Sequence, residues 1–400
     1  MHSRPDLIGL TFHTASDSDI TECRTTDIYF KRAMEIIERR GWDRRVVAEV
    51  SASSLPLGWS WGVLAGMEEV AELLRGRELD ALAMSEGSIF HPREPVIRIE
   101  GRYSDFCELE TPMLGLSCQA SGIATAAARC KIAAGFKPVL SFGIRRMHPA
   151  ISPMVDRSAY LGGCDGFSGV AGGELVGVEP SGTIPHALML LVGDRKEVWR
   201  AFDEIIDEDV PRIMLVDTFS DEVVESLSAA QALGKRLFAV RLDTPSSRRG
   251  DMGLIVEEVR WKLDAEGYGD VKIFVSGGLD ESSLVELADR ADAFGVGTSI
   301  SSARTIDFAM DIVEVEGTKV SKRGKFSGAK NVYECPGCFE RRLILDDRAP
   351  DCGCGRRMEG LLRPFVQGGR PVEMPPVEEV RKKLLGEMKR RELSIDAKEL

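Results

Sequence analysis

Short apolar segments alternate with helical segments between Pro138 and Thr298, and this rhythm constrains the fold more than any other feature of the sequence. The predicted strands cover residues 139–142, 212–217, 237–243 and 273–275. A helical segment follows each of the last three strands. The first ends near residue 233, and the other two cover residues 251–266 and 280–290. Strand–helix alternation implies parallel strands joined by crossover helices. We therefore predict an α/β fold built on a parallel sheet.

Two successive strand ends in this region carry glycine. Ser276, Gly277 and Gly278 end one strand, and Gly297 and Thr298 end the next. Glycine lets the backbone approach a ligand closely, and bare N–H groups at a helix start form a cradle for phosphate. In β/α barrels, the last two such loops commonly hold a phosphate at the active face. One loop of this kind is more often a simple tight turn, but two in register predict a sugar-phosphate site.

Polar side chains stand at the ends of other predicted strands. Asp217 and Thr218 follow one strand, and Arg241 and Asp243 lie at the end of the next. Aspartate, serine and threonine can each simply cap a helix. Active sites of β/α barrels, however, lie at the carboxyl ends of the parallel strands. Together with the glycine loops, these residues therefore favour an active site.

The composition excludes several classes of protein. The chain has 400 residues and a net charge of −12, which argues against a nonspecific nucleic-acid binder. Its apolar fraction of 43% and charged fraction of 29% are ordinary for a soluble globular protein. No apolar run reaches membrane-spanning length, and no signal-peptide pattern opens the chain. We expect a cytoplasmic protein that acts on small molecules and binds neither nucleic acid nor membrane.

Four of the nine cysteines form a cluster with metal-binding spacing. Cys335 and Cys338 flank a Pro-Gly pair, and Cys352 and Cys354 follow after thirteen intervening residues. Four soft ligands on two tight turns are what a tetrahedral structural zinc requires, and they leave no open position for a substrate. The remaining cysteines, predicted to be inert thiols, are Cys23, Cys107, Cys118, Cys130 and Cys164.

Changes in pattern along the chain predict three parts. Residues 1–118 mix strands and helices without regular alternation, as an N-terminal α+β domain would. Residues 119–310 form the α/β barrel with the active site. Residues 311–400 form a C-terminal return segment, which includes the zinc site at residues 335–354 and a terminal amphipathic helix.

The segment from residue 160 to residue 189 carries the densest motif. Gly162, Gly163 and Asp165 open it, and Gly182-Thr183 precedes His186. In this motif the sequence resembles the nicotinate phosphoribosyltransferases. Other matching segments, in the family's order, are Thr26-Asp27-Ile28-Tyr29, residues 94–101, residues 110–114, residues 142–146, Arg241-Leu242-Asp243, Ser276-Gly277-Gly278, residues 313–332 and residues 361–365. The zinc cluster is similar to that of the shorter, archaeal-type branch.

The resemblance implies a fold and a reaction. The fold would be an incomplete TIM-like α/β barrel of the type II phosphoribosyltransferases, packed against the N-terminal domain. The reaction would join nicotinate to phosphoribosyl pyrophosphate in NAD biosynthesis, releasing pyrophosphate and consuming ATP. The resemblance also implies a homodimer in which each active site borrows Tyr29 from the partner chain.

The reaction assigns roles to the candidate residues. Tyr29 and Phe167 could stack on the nicotinate ring, and Arg145 could pair with its carboxylate. Tyr29 could instead pack a dimer, and Arg145 could clamp phosphate or form a surface ion pair, with Arg146 as its rival. By resemblance, His186 is the histidine that ATP phosphorylates.

The remaining candidates serve the ribosyl donor. Backbone and hydroxyl donors would hold its 5′-phosphate, from Ser276, Gly277, Gly278, Gly297 and Thr298. The other residues expected near the reacting centre are Thr183, Ser181, Arg241, Asp217 and Asp243. Arg241 would contact pyrophosphate or the ring carboxylate. The two aspartates would hold ribose hydroxyls or Mg²⁺.

Two other functions are compatible with parts of this pattern. Quinolinate phosphoribosyltransferase shares the barrel, but it must neutralise two carboxylates and lacks the Thr-Asp-x-Tyr start and the zinc cluster. A non-enzymatic zinc-ribbon protein could bind nucleic acid through the basic residues between Lys319 and Lys330. Net acidity and the lack of interleaved aromatic residues in that segment disfavour it.

Overall fold

A computed structural model describes residues 12–395 of the chain. These residues form two compact units. The first comprises the described residues through Ser121 together with Thr305–Pro376, and the second comprises Gly122–Arg304 with the described residues from Val377 onward.

Along residues 12–395 the strands, in chain order, are β1 (Arg45–Ala52), β2 (Gly62–Val63), β3 (Leu79–Ala83), β4 (Ile89–Phe90), β5 (Ile97–Arg102), β6 (Val139–Ser141), β7 (Gly166–Phe167), β8 (Ile213–Leu215), β9 (Ala239–Leu242), β10 (Lys272–Val275), β11 (Ala293–Val296), β12 (Phe308–Val315), β13 (Thr318–Lys319), β14 (Asn331–Glu334), β15 (Arg341–Ile344), β16 (Glu359–Gly360), β17 (Arg363–Gln367) and β18 (Arg370–Pro371). The α-helices are α1 (Asp17–Thr21), α2 (Ile28–Arg40), α3 (Met67–Leu74), α4 (Tyr103–Phe106), α5 (Glu110–Ala133), α6 (Ser152–Leu161), α7 (Val170–Val176), α8 (His186–Val192), α9 (Arg195–Ile205), α10 (Glu222–Leu233), α11 (Met252–Ala265), α12 (Glu281–Leu287), α13 (Thr298–Ser301) and α14 (Val377–Arg390).

The second unit is built on a parallel sheet with the strand order β7-β6-β11-β10-β9-β8. Within the described chain, β7 and β8 lie at opposite edges of this sheet, so the strands form a half-barrel. The predicted α/β fold with a parallel sheet is thereby confirmed. Trp199 of α9 is fully buried against this sheet, and its indole Nε1 donates to the Leu215 carbonyl of β8 at 3.2 Å.

Aspartate side chains begin three successive helices of this unit. Asp221 accepts from the backbone N–H of Val224 at the start of α10, Asp251 does the same for α11, and Asp280 for α12. An N-cap carboxylate satisfies a backbone donor that the first helical turn leaves unpaired. Each helix can therefore begin near the position that the sequence pattern gives it.

The first unit contains an antiparallel sheet with the strand order β13-β12-β1-β5-β3-β17-β18. This pairing explains why the structure divides the chain differently from the three parts that the sequence suggests. β12 pairs along β1 from Val46–Val315 to Ala52–Phe308, so the residues after Thr305 join the first unit. The terminal helix α14 belongs instead to the second unit, where Arg381 donates to the Cys164 carbonyl at 2.9 Å.

The apolar residues on either side of His91-Pro92-Arg93-Glu94-Pro95 predict a β-hairpin over residues 89–99, and this prediction is wrong. β4 pairs with β2, whereas β5 pairs with β1 and β3. The connecting loop is held locally, because Glu94 accepts from the backbone N–H of His91 at 2.9 Å and Arg93 adopts a positive φ of 70°. This loop sends the two short strands to different partners. Among the described residues, no helix is long and apolar enough to cross a membrane.

The end of α6 provides a test of packing in the second unit. Gly162 has a φ of −66°, which alanine also adopts, but an added Cβ would overlap the Ala124 carbonyl of α5. We expect Gly162→Ala to lower the free energy of unfolding by about 1–3 kcal/mol through overpacking. Gly386 in the middle of α14 has open space around it, so Gly386→Ala should raise that free energy by about 0.5–1 kcal/mol. Chemical denaturation of both variants measures the difference, and equal effects would contradict the packing argument.

Candidate active site

A cavity of about 530 Å³ lies in the second unit, at the carboxyl ends of β6, β9, β10 and β11. Its walls combine glycine, arginine and small hydroxyl side chains. The lining residues are Phe142, Gly143, Arg145, Arg146, Ser168, Gly182, Thr183, Ile184, Pro185, His186, Ala187, Arg241, Asp243, Ser276, Gly277, Gly278, Leu279, Gly295, Gly297 and Thr298. Most of the candidate site residues from the sequence therefore share one cavity. The exceptions are Tyr29, Phe167, Ser181 and Asp217.

His186 is the first residue of α8 and is 40% exposed towards the cavity. Its Nδ1 lies 3.1 Å from the Thr218 hydroxyl oxygen. Its Nε2 lies 3.5 Å from Asp243 Oδ2 and 3.7 Å from Asp217 Oδ1. The hydrogen bond to Asp243, aided by the charges of both carboxylates, raises the pKa of His186 against the opposing effect of burial. The ring is therefore oriented through both nitrogens.

The pKa values of the two aspartates beside His186 are shifted in opposite directions. Burial favours the neutral form of Asp243, but the hydrogen bond with His186, the charge of Arg241 and the Ser276 hydroxyl outweigh it and lower the pKa of Asp243 to about 2. Asp217 has a side chain only 2% exposed, and burial raises its pKa to about 6. Among the residues described, no group hydrogen-bonds to Asp217 Oδ1. Asp243 is thus ionised at neutral pH, whereas the charge of Asp217 depends on what binds beside it.

Arg241 connects the walls of the cavity. Its guanidinium donates to Ser276 Oγ at 2.9 Å and to Thr183 Oγ1 at 2.6 Å. It also lies 3.1 Å from Asp243 Oδ2 and stacks over the Phe142 ring at 5.7 Å. A planar guanidinium with several fixed donors suits such a multiple anchor. Arg241 therefore holds the strand ends in register and lends only part of its charge to a ligand.

Glycine is required at the tip of the loop after β10 and within β11. Gly277 and Gly278 have φ values of +89° and +72°, a left-handed conformation that side chains disfavour. A Cβ on Gly277 would also lie 2.8 Å from the Asp243 carbonyl oxygen. On the neighbouring strand, a Cβ on Gly295 would lie 2.8 Å from the ring of Phe142. The chain therefore presents backbone to the cavity at both places, as the phosphate prediction requires.

Arg145 and Arg146 lie on a single 3-10 turn, Ile144–Arg146, which follows β6. Both side chains are exposed, and both residues line the cavity. The turn begins at Gly143, where a Cβ would overlap the side chain of Ser301. The close approach of Gly143 to α13 brings the two arginines to the cavity rim. These guanidinium groups are the exposed cations available to an anionic ligand there.

Neither of the predicted ring-stacking residues lines the cavity. Phe167 is fully buried and packs edge-on against Tyr160, at 6.0 Å between ring centroids, so it does not reach the cavity. Tyr29 is 56% exposed on α2 and belongs to the first unit. The aromatic ring that does line the cavity is Phe142, which the sequence pattern does not mark as a ring-stacking residue. Its position directly after β6 is the feature that could have identified it, because the other cavity residues also follow strand ends.

The four clustered cysteines lie in the first unit, and their sulfur atoms are all within 4.8 Å of one another. The Cys335 and Cys354 sulfurs are 3.4 Å apart, as are those of Cys338 and Cys352. Backbone donation from Cys338 lowers the pKa of the Cys335 thiol to about 6, which favours the thiolate. This cluster could hold a metal ion.

Known protein families share both domains of this architecture. Residues 27–121 match the N-terminal domain, and residues 123–311 the C-terminal domain, described for quinolinate phosphoribosyl transferase. A crystal structure of nicotinate-nucleotide pyrophosphorylase from Pyrococcus furiosus superposes with a TM-score of 0.95 at 54% identity, covering 96% of this chain and 100% of that one. The fold is thus that of the phosphoribosyltransferases.

A curated relative narrows the class to a family. Nicotinate phosphoribosyltransferase pncB1 of Mycobacterium tuberculosis is 31% identical over 377 residues, which cover 82% of each chain. The chain belongs to the nicotinate phosphoribosyltransferase family. The human Nicotinic Acid Phosphoribosyltransferase structure, at 22% identity and a TM-score of 0.75 over 93% of this chain and 95% of that one, shares the fold.

The effect of Asp243 on the pKa of His186 can be tested by substitution. We expect Asp243→Asn to lower the pKa of His186, because the hydrogen bond to Asp243 is the largest cause of its elevation. A raised histidine pKa stabilises the folded protein below the ordinary value of 6.5, and this contribution is lost as the pH rises through the folded pKa. The variant should therefore lose this contribution at low pH, in addition to the ion pair with Arg241, which is lost at every pH above the ordinary aspartate pKa. Histidine NMR titration measures the pKa, with the exposed Glu204→Gln as the control, and an unchanged His186 would contradict the assignment.

Proposed function

We propose that this protein is a nicotinate phosphoribosyltransferase, which makes nicotinate mononucleotide and pyrophosphate from nicotinate and phosphoribosyl pyrophosphate for NAD biosynthesis. One observation supports this most directly: a single cavity contains exposed arginines beside an aromatic ring and, on neighbouring strands, two glycine-tipped loops. The half-barrel would then be the incomplete TIM-like barrel of the type II phosphoribosyltransferases. The similarity to the Pyrococcus protein supports assignment to the shorter, archaeal-type branch.

The arginines and Phe142 would form the nicotinate pocket. Nicotinate is a flat anion, so it requires an apolar face for the ring and a cation for the carboxylate. Phe142 offers a ring face, and Arg145 offers a bidentate partner on the turn that follows it. We propose Tyr29 as the second stacking residue, supplied by the other subunit of a homodimer, since its side chain is exposed on α2.

The opposite wall would hold the ribosyl donor. Backbone groups of Gly277, Gly278 and Gly297, with the Thr298 hydroxyl, would bind the 5′-phosphate. The lone pair of the nicotinate nitrogen forms a bond to the anomeric carbon, while pyrophosphate leaves with the electron pair of the broken C–O bond. Positive charge develops on the ribose in this transition state, and the Asp243 carboxylate is available to stabilise it.

His186 would couple ATP to this transfer. Its Nδ1 is engaged by Thr218, so Nε2 would attack the γ-phosphorus of ATP, and ADP would leave with the electrons of the broken P–O bond. The nucleophile would be the neutral ring with its proton on Nδ1: Asp243 would first take the Nε2 proton of the imidazolium, and the nearby carboxylates orient the ring. A Mg²⁺ ion would supply charge neutralisation for the phosphates. Asp217 and Asp243 would hold this ion, since Asp217 Oδ1 is buried and has no hydrogen-bond partner in the described part of the chain.

The cysteine cluster would bind a structural zinc. Four Zn–S bonds of about 2.3 Å in a tetrahedron separate the sulfurs by roughly 3.8 Å, close to the 3.4–3.8 Å found between Cys338 and two of its neighbours, Cys352 and Cys354. The thiolate set closes the coordination shell, so the metal would support β14, β15 and β16 rather than catalysis. Such a site requires a reducing compartment, and we propose a cytoplasmic enzyme.

Quinolinate phosphoribosyltransferase is the second candidate, because both matched domains are described for that enzyme. Quinolinate carries two carboxylates. In the described part of the second unit, the cations lining the cavity are Arg145, Arg146 and Arg241, and the last is already paired with Asp243. A monocarboxylate suits the two exposed arginines better, because one then remains for the pyrophosphate.

Nucleic-acid binding through the basic segment fits the structure less well. Lys322 and Lys325 both pair with Asp311, at 2.7 and 3.0 Å, and Lys330 pairs with Glu49 at 2.7 Å. These carboxylates neutralise much of the positive charge that phosphate backbones would require.

One assay set tests the proposed reaction. We expect product from nicotinate and phosphoribosyl pyrophosphate, stimulated by ATP, and at least about tenfold less efficient use of quinolinate or nicotinamide. His186→Ala should lose the ATP stimulation and keep a slow basal rate. Chromatography of the nucleotide products measures each reaction. Decarboxylation of quinolinate with comparable efficiency would instead establish the second candidate, and stimulation by ATP in His186→Ala would exclude the phosphohistidine.

The ring-carboxylate contact is tested by a matched arginine pair. Arg145→Ala should raise the nicotinate KM by about 10–100-fold, with a much smaller change in the KM for phosphoribosyl pyrophosphate, because a charge-assisted bidentate pair is lost. Arg146→Ala, on the same turn, is the control and should affect the phosphoribosyl donor more. Steady-state kinetics with each substrate varied in turn gives both constants, and a reversed pattern would assign the carboxylate to Arg146.

A further inference from the structure

A fully buried carboxylate anchors the loop that follows β8. Glu225 of α10 is 0% exposed. Its Oε2 accepts from the backbone N–H of Thr218 at 3.2 Å. Its Oε1 accepts from the backbone N–H groups of Phe219 and Ser220, at 2.7 and 2.8 Å. The Ser220 hydroxyl at 3.3 Å and Arg195 at 3.5 Å complete its contacts on the same oxygen. One side chain therefore orders three consecutive backbone donors.

This loop carries the residue that contacts the candidate histidine. The Thr218 backbone N–H donates to Glu225, and the Thr218 hydroxyl oxygen lies 3.1 Å from His186 Nδ1. Thr218 therefore connects the buried Glu225 carboxylate directly to the His186 imidazole. We propose that Glu225 is a positioning residue: by holding Thr218 it fixes the orientation and tautomer of His186, with the Thr218 hydroxyl donating to Nδ1 and Nε2 facing Asp243 and the site of phosphoryl transfer. This inference rests on the proposed role of His186 in ATP coupling.

Helix capping alone does not account for Glu225. Asp221 already caps α10 by accepting from Val224 N–H at 2.9 Å. A buried carboxylate costs several kcal/mol in desolvation unless its lone pairs are satisfied, so its use beside an existing cap indicates a further requirement. That requirement is order in the loop, because the first residue that Glu225 holds is the one that contacts His186.

The two oxygens of Glu225 allow a selective variant. In Glu225→Gln the amide oxygen can occupy the Oε1 position and keep the bonds from Phe219, Ser220 and Arg195. The amide NH₂ then occupies the Oε2 position, where it faces the Thr218 N–H donor instead of accepting from it. The substitution therefore releases Thr218 while leaving the rest of the loop bonded.

The test compares Glu225→Gln, Thr218→Val and the double variant. We expect Glu225→Gln to reduce the ATP-stimulated rate by about tenfold, equivalent to ~1.4 kcal/mol, with the basal rate changed less than about twofold. Thr218→Val should cause a similar loss, and the double variant should lose no more than Thr218→Val, because both substitutions act through one contact. Glu197→Gln, an exposed glutamate on α9, should match the unaltered protein.

A second readout is independent of activity. Nitrogen-15 NMR of labelled histidine, with His186→Ala for assignment, reports which ring nitrogen carries the proton. At a pH where the ring is neutral, we expect a single Nε2–H form in the unaltered protein, with Nε2–H donating to Asp243 and the Thr218 hydroxyl donating to Nδ1, and a mixture of tautomers in Glu225→Gln. Should that variant not fold, Glu225→Asp withdraws the carboxylate by one methylene and takes the same two tests. An unchanged tautomer, or additive losses in the double variant, would overturn the positioning role. Absence of ATP stimulation in the unaltered protein would instead refute the proposed function.

Discussion

The contact between Arg241 and Asp243 is the interaction on which the cavity depends. The two residues are separated by two positions at the end of β9, so their side chains lie on the same face of the sheet. Arg241 is only 14% exposed, and a cation at that depth requires a carboxylate nearby. Asp243 provides it at 3.1 Å and also contacts His186 and Ser276. One ion pair thus connects β9, β10 and α8.

In this arrangement Asp243 is ionised throughout the neutral pH range, whereas the charge of Asp217 changes with pH and with what binds beside it. Asp243 stays ionised because its partners outweigh burial, whereas burial raises the pKa of Asp217 to about 6, so this carboxyl is about half protonated near pH 6. A site built in this way can accept a cationic partner without holding two uncompensated carboxylates beforehand. The imidazole of His186 lies within 4 Å of both carboxylates, so its proton affinity reports the charge state of the whole cluster.

Local sequence patterns predicted the parts of this site that depend on strand ends and caps. Asp280 caps α12, and Gly277, Gly297 and Arg241 meet at the cavity, because each follows or ends a parallel strand. The same patterns could not select the correct aromatic ring. Phe167 and Phe142 both lie at strand ends, but Phe167 turns into the core against Tyr160. The direction of a side chain at the end of a short strand depends on the neighbouring helices, and the sequence does not encode it locally.

The sequence by itself determined the α/β class, the cysteine cluster and most of the residues around the cavity, because hydrophobic periodicity, glycine and cap residues act over a few positions. Only the tertiary structure decided the pairing of β12 with β1, the place of Phe142 and the hold of Glu225 on Thr218. These contacts are made between different secondary-structure elements. Their geometry follows from packing and from satisfying buried polar groups, which no local pattern specifies.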